Sequence, residues 1–223
     1  MPVTRRQRPR GTVTREAVVF AALAVLDRVG AQALTIRAVA RQVGAPPMSL
    51  YTHFSSKEQL VDLMIREILA HLYQDEGHLT WQAELEALCR RIYAAFLAHP
   101  HWTPLLSRGM PNTEIKVRER LLSMMVADGM RPEQAFSVLS SAVLSTTGLV
   151  AAEHALRSPN GGSAVEQRYE EIREGSEDAT HSPVTREAVA DRAQLAMRDV
   201  FDMTLRSLVR GFEVMARETR TTP

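Results

Sequence analysis

The 223-residue chain carries a formal net charge of +1, with 45% hydrophobic and 24% charged residues, the balance of an ordinary globular protein long enough to bury a core. Its single cysteine, Cys89, excludes an internal disulfide and a cysteine-built metal cluster. No apolar run approaches the roughly 20 residues of a membrane span, and no apolar stretch follows the N-terminal arginines as it would in a signal peptide, so the expectation is a cytoplasmic protein without a membrane partner.

The small net charge hides an asymmetry. Between Met1 and Lys57 stand nine basic residues and two acidic ones, which leaves the rest of the chain acidic. A basic head on an acidic body predicts one surface that meets a polyanion and another that does not. Much of the excess lies in residues 1–13, where Arg5, Arg6, Arg8 and Arg10 precede the first helix. Such an arm can follow a minor groove, and it can equally be a solvated tail.

From Thr14 the apolar period is helical. Thr14 is a suitable N-cap with Glu16 in the first turn, and Val19, Ala22, Leu23, Leu26 and Val29 recur on one face until Gly30 ends the helix. Thr35 opens a short second helix with Ile36, Val39, Ala40 and Val43 inward, closed by Gly44. A third helix can start at Pro46 or Pro47, since proline is tolerated in a first turn, and runs through Leu50 and Phe54. Ser55 or Ser56 caps a fourth, with Leu60, Met64, Ile68 and Leu72 on one face. Two short helices joined by a glycine turn, behind a longer one, fit a helix-turn-helix, whose second helix enters the major groove. Helical hairpins of this kind also serve as plain packing units.

The segment LTIRAVARQVGAPPMSLYTHFSSKEQLVDLM, residues 34–64, resembles the DNA-binding signature of the tetracycline-repressor (TetR/AcrR) family, and the likeness extends over residues 14–72. The resemblance implies that Thr35, Tyr51 and Lys57 touch phosphate, and that Arg37, Pro47, Met48, Ser49, Thr52 and His53 face bases. Pro46, Pro47 and Met48 have no side-chain donor or acceptor and can offer only apolar contact. Hydrogen-bonded readout therefore falls on Arg37 and Ser49, with arginine–guanine pairing the strongest single discriminator. Arg37 as a solvated charge, and Tyr51 and His53 as packing residues, are the alternatives.

The remainder also reads as helical. Trp81, Leu85, Leu88, Ile92, Ala95 and Phe96 share a face that His99-Pro100 ends. Asn112 or Thr113 caps a helix through Leu121, Leu122 and Met125 that ends at Gly129. A long helix runs from Pro132 to about Leu156. Residues 157–183 read as a polar connection with one helical stretch near Val165 to Glu174. The last helix carries Met197, Val200, Phe201, Thr204, Leu205, Leu208, Phe212 and Met215 in one stripe, which must pack against something. HLTWQAELEALCRRIYAAFLAHPHW and LRSLVRGFEVMA resemble the C-terminal domain of the tetracycline repressor itself. That resemblance implies a homodimer joined by a four-helix interface, although periodicity alone allows packing within the chain.

Three segments follow: a basic arm over 1–13, a helix-turn-helix DNA-binding domain over 14–72, and a helical effector-binding and dimerisation domain over 73–223. The whole is an all-α fold. The expected partners are a near-palindromic double-stranded DNA operator and a small organic effector. Trp81, Trp102, Leu106, Met110, Phe136, Thr146, Thr147 and His154 are candidates to line a largely apolar pocket, and each can equally be a core residue. The histidines that hold a drug–magnesium pair in the tetracycline repressor fall near Tyr73 and Leu106, so no metal and no cofactor is expected. Catalytic signatures are missing: no phosphate-binding loop, no Gly-x-Ser-x-Gly, no His-Glu-x-x-His. Glu67-x-x-x-His71 is one residue off the di-iron spacing and has no second copy. A helical-bundle enzyme and an effector-independent DNA-binding dimer remain the competing readings.

Overall fold

The computed structural model describes residues 13–74, 77, 79–106, 116–157 and 197–221, and every regular element among them is a helix. Two compact units separate: one holds the described chain up to Leu69 together with residues 104–106, and the other holds the remaining described residues from Ala70 onward.

In the first unit α1 spans Arg15–Ala33, and the Thr14 hydroxyl accepts from the Ala17 N–H at 3.2 Å. Gly30 interrupts it at φ 74°, a left-handed backbone that a side chain would strain. Val18, Val19, Ala22, Leu23, Val25 and Leu26 are buried, whereas Val29 is turned out to solvent just before the break. Helix α2 is Ile36–Val43, capped by Thr35, whose hydroxyl accepts from the Ala38 N–H at 3.2 Å. Gly44 closes it at φ 77°, and the N–H groups of Gly44 and Ala45 both bond the Ala40 carbonyl. Arg28 of α1 reaches Gln42 of α2 at 3.2 Å.

The next helix, α3, is a single turn, Pro47–Leu50, shorter than its apolar pattern suggests. The side chains themselves shorten it. Ser49 Oγ donates to the Pro46 carbonyl at 2.7 Å and Thr52 Oγ1 to the Ser49 carbonyl at 2.8 Å. The His53 N–H then bonds Leu50 three residues back, so the chain tightens out of α-helix before Phe54 is buried. Helix α4, Lys57–Leu72, follows Ser56, whose hydroxyl accepts from the Gln59 N–H at 3.2 Å. The Gln59 side chain reaches back to the Ser55 hydroxyl at 2.9 Å, and the two bonds fix the start of the helix. Leu60, Met64, Ile68 and Leu72 are all buried.

In the second unit α5 (Trp81–Ala98) is capped by Thr80 and ends at His99, where a 3-10 turn, Pro100–Trp102, follows; the chain continues as α6, Thr103–Leu106, which from Pro104 on belongs to the first unit. Helices α7 (Lys116–Ala127), α8 (Pro132–Arg157) and α9 (Met197–Thr221) complete the second unit. The core forms where α8 lies along α5, with α7 and α9 packed on α8. The cap at Asn112 or Thr113 and the helical stretch near Val165 lie outside the described residues.

Two features of the long helices differ from expectation. By length and composition α8 could cross a membrane, because its serines, threonines and glycine interrupt the apolar run without lowering its mean hydropathy much. Here its buried stripe, from Ala135 through Val138, Leu139, Ala142, Thr146 and Val150 to Glu153, is a core seam. The single stripe expected of α9 divides in two. Phe201, Leu205, Val209, Phe212 and Ala216 face the chain's own core, while Met203, Val214 and Met215 are exposed and Val200, Thr204 and Leu208 half-buried.

Candidate DNA interface and effector pocket

The residues expected to meet DNA are distributed along the first unit according to their local chemistry. Thr35 is occupied as the cap of α2, which leaves its hydroxyl proton available, and Arg37 is exposed on the first turn of that helix. Pro47 and Met48 are exposed on α3, Met48 at 77%. Ser49 is half-buried and Thr52 exposed, with both hydroxyl protons committed to backbone carbonyls. Tyr51 is 45% exposed and tilts against Phe54, the ring centroids 5.7 Å apart, so one residue combines packing with a free phenol edge. His53 is half-buried. Hydrogen bonds from the Glu16 backbone N–H and from Thr14 hold the Glu16 carboxyl below its usual range, with the charges of Arg15 and His53 as the lesser causes. Lys57 is exposed at the first residue of α4, where the N-terminal end of the helix dipole adds positive potential. Arg6, Arg8 and Arg10 lie outside the described residues.

The pocket candidates scatter more. Trp81 is buried, and its indole N–H donates to Asp128 at 2.8 Å, a peg between α5 and the end of α7. Phe136 is 55% exposed on α8. Thr146 is buried and back-bonds to the Ala142 carbonyl at 2.8 Å, while half-buried Thr147 bonds those of Val143 and Leu144. Met110 and the side chain of Leu106 lie outside the described residues. Trp102 and His154 do come together, through Phe96. Trp102 meets the Phe96 ring edge-on at 6.4 Å and stacks on His99 at 4.1 Å, and His154 Nε2 bonds the Phe96 carbonyl at 2.8 Å. A carbonyl can only accept, so His154 Nε2 is the donor in this bond. The Trp102 indole nitrogen and the neighbouring Thr103 hydroxyl are buried without a hydrogen-bond partner among the described residues.

The expected apolar faces leave out the charged groups inside this unit. Glu84 is fully buried, with Arg120 at 3.1 Å and Arg91 at 3.7 Å. Glu153 is 6% exposed, accepts from the Tyr93 hydroxyl, and meets Arg157 at 2.5 Å. Tyr93 stacks on Phe201 at 4.1 Å, joining α5 to α9. Burial first, then Glu153, pushes the Tyr93 phenol up to about 12. Burial does the same to Tyr73, about 12, and to the Cys89 thiol, about 11, which keeps that cysteine protonated and unreactive. A usable hint was present in the sequence: each glutamate sits at a core position of an otherwise apolar stripe.

Comparison with known proteins identifies the family. Residues 74–216 match the family model described as the tetracyclin repressor-like C-terminal domain, and residues 19–64 match that of bacterial regulatory proteins of the tetR family. The chain is 28% identical to the HTH-type transcriptional repressor DrrR1 of Streptomyces coeruleorubidus, over 95% of this chain and 82% of that one. It is 26% identical to the class E tetracycline repressor protein of Escherichia coli, over 92% and 93%. The fold matches that of apo ActR from Streptomyces coelicolor with a TM-score of 0.76 at 22% identity, covering 93% of this chain and 98% of that one. The chain belongs to the TetR family of bacterial regulatory proteins and is a DNA-binding transcriptional regulator.

Proposed function

We propose that the protein is a cytoplasmic homodimeric repressor that grips a near-palindromic operator through α2, α3 and the start of α4, and releases it when a small, largely apolar organic molecule binds its second unit. The observation that carries the effector half is the Trp102 indole N–H, buried in an aromatic cluster with no partner among the described residues. An orphaned buried donor costs roughly 1–3 kcal/mol, a cost that a ligand carbonyl or ether oxygen would remove. Phe96, His99 and Trp102 supply aromatic surface, and none of them carries a fixed charge to hold a polyanion. ActR, of the same fold, has been solved in complex with actinorhodin.

The test is a thermal-shift screen of neutral lipophilic aromatics, run with a chelator present and repeated on Trp102→Phe, which keeps a ring and removes the N–H. Hits should stabilise the parent protein despite the chelator and bind the variant more weakly. By linkage, operator DNA should weaken each hit by the factor that the hit weakens operator binding, a coupling of about 1–3 kcal/mol. Stabilisation by polyanions alone, or stabilisation abolished by the chelator, would contradict the reading.

A further inference from the structure

The one-turn recognition helix has an unusual inventory. Of its four side chains, Pro47 has no polar atom, Met48 is apolar and 77% exposed, and Leu50 is fully buried. The fourth, Ser49, has a hydroxyl, but its proton is donated to the Pro46 carbonyl at 2.7 Å. Thr52, one residue beyond the helix end, repeats the arrangement on the Ser49 carbonyl at 2.8 Å. A hydroxyl oxygen that has given its proton away still has lone pairs. While those bonds hold, these two residues are acceptors and not donors towards a base edge; turning either proton outward gives up the bond it makes, although the Pro46 carbonyl would keep the Ser49 N–H at 3.0 Å.

The four base pairs differ in what they can offer such a surface. In the major groove thymine carries a methyl group, adenine and cytosine each carry an amino donor, and guanine presents only the acceptors N7 and O6. We infer that α3 selects its half-site by exclusion: thymine under Met48, adenine or cytosine under Ser49, and guanine under neither. Guanine should appear only where Arg37, exposed on the first turn of α2, can donate to it. This rests on the reading that α3 faces the major groove. It goes beyond that reading because a donor at Ser49 would demand the opposite base.

Selection of bound fragments from random duplexes provides the site, and atom-level base changes then test it without altering the protein. Replacing thymine by uracil removes only the methyl group, and at one position per half-site it should weaken binding about fourfold. Met48→Ala should abolish that sensitivity at the same position and no other. Replacing adenine by purine, or cytosine by its 4-deamino analogue, should cost about two- to tenfold at one position, and Ser49→Ala should abolish that cost. A 7-deazaguanine substitution whose effect disappears in Ser49→Ala would show that the hydroxyl donates, and would overturn the inference. So would a site indifferent to uracil at every thymine. Recovery of no preferred sequence at all would instead defeat the DNA-reading assignment of α3, and the inference with it.

Discussion

Arg91 of α5 donates its Nε–H to the carbonyl of Leu72, the last residue of α4, at 2.8 Å. A second guanidinium nitrogen reaches the Gln74 carbonyl at 3.2 Å and another contact approaches Glu84 at 3.7 Å. One side chain thus closes the C-terminus of α4, where the helix leaves carbonyls unpaired and favours a cation, and ties it to a buried carboxylate. Arg120 of α7 joins the same carboxylate, so α4's end, α5 and α7 meet at Glu84.

Arg91→Ala removes the cap and leaves Glu84, whose Oε1 accepts no hydrogen bond, with Arg120 as its nearest cation. The expected cost in urea unfolding is about 1–3 kcal/mol, below the range for a fully buried pair because both arginines keep part of their surface in water. Arg91→Lys should recover less than half, since an ammonium cannot serve two carbonyls and a carboxylate in a planar fork. Loss of under 0.5 kcal/mol in the alanine variant would show that the cap is incidental.

Alkaline pH should destabilise the second unit. Tyr73 and Cys89 have folded pKa values raised to about 12 and about 11 by burial, against ordinary values of 10.0 and 9.0. A raised acid pKa leaves stability intact below the unfolded value and removes it as pH climbs to the folded one. The window is therefore pH 9 to 12, with a loss of roughly 2–3 kcal/mol for each group. Melting temperatures measured from pH 7 to 11 should be flat to about 9 and then fall. Cys89→Ala should start its fall nearer pH 10, and a decline already evident between 7 and 8 would contradict the assignment.

Much of this architecture was legible in the sequence, and the limits have physical causes. Thr14, Thr35 and Ser56 cap helices and Gly30 and Gly44 break them as expected, because caps and left-handed turns depend on a few adjacent residues. The length of α3 was not legible: three local hydrogen bonds decide it, and side-chain bonding competes with helix without changing the apolar period. The link from Trp81 to Asp128, 47 residues away, and the partners of the buried glutamates are tertiary facts that no periodicity encodes. The division of the α9 stripe has the same origin, since a wide apolar face does not reveal which half its own chain covers.

That division directs the dimerisation test. Phe212 belongs to the chain's own core, so its loss should unfold rather than dissociate. The outward faces of α8 and α9 carry Leu144, Met203, Leu208 and two glycines, Gly148 and Gly211, where an added Cβ would meet nothing within 4 Å. Interior helix glycine costs about 1 kcal/mol relative to alanine, so two of them on open faces point to a close partner helix. Gly211→Leu should stabilise an isolated chain but break a dimer. Sedimentation of Gly211→Leu and Met203→Glu should give monomers with weakened operator binding. Unchanged dimers of higher stability would place the interface elsewhere.

Fluorescence anisotropy of selected and scrambled duplexes across a salt series measures the separate roles of α2 and α4 at DNA directly. Lys57→Ala should weaken both duplexes alike and reduce the log–log salt slope by about 1, the signature of one lost phosphate contact. Arg37→Ala should cost about 1–3 kcal/mol on the selected duplex and little on the scrambled one, because it removes a base contact. Equal losses on both duplexes for Arg37→Ala, with an unchanged salt slope for Lys57→Ala, would contradict the assignment of these helices to the DNA interface.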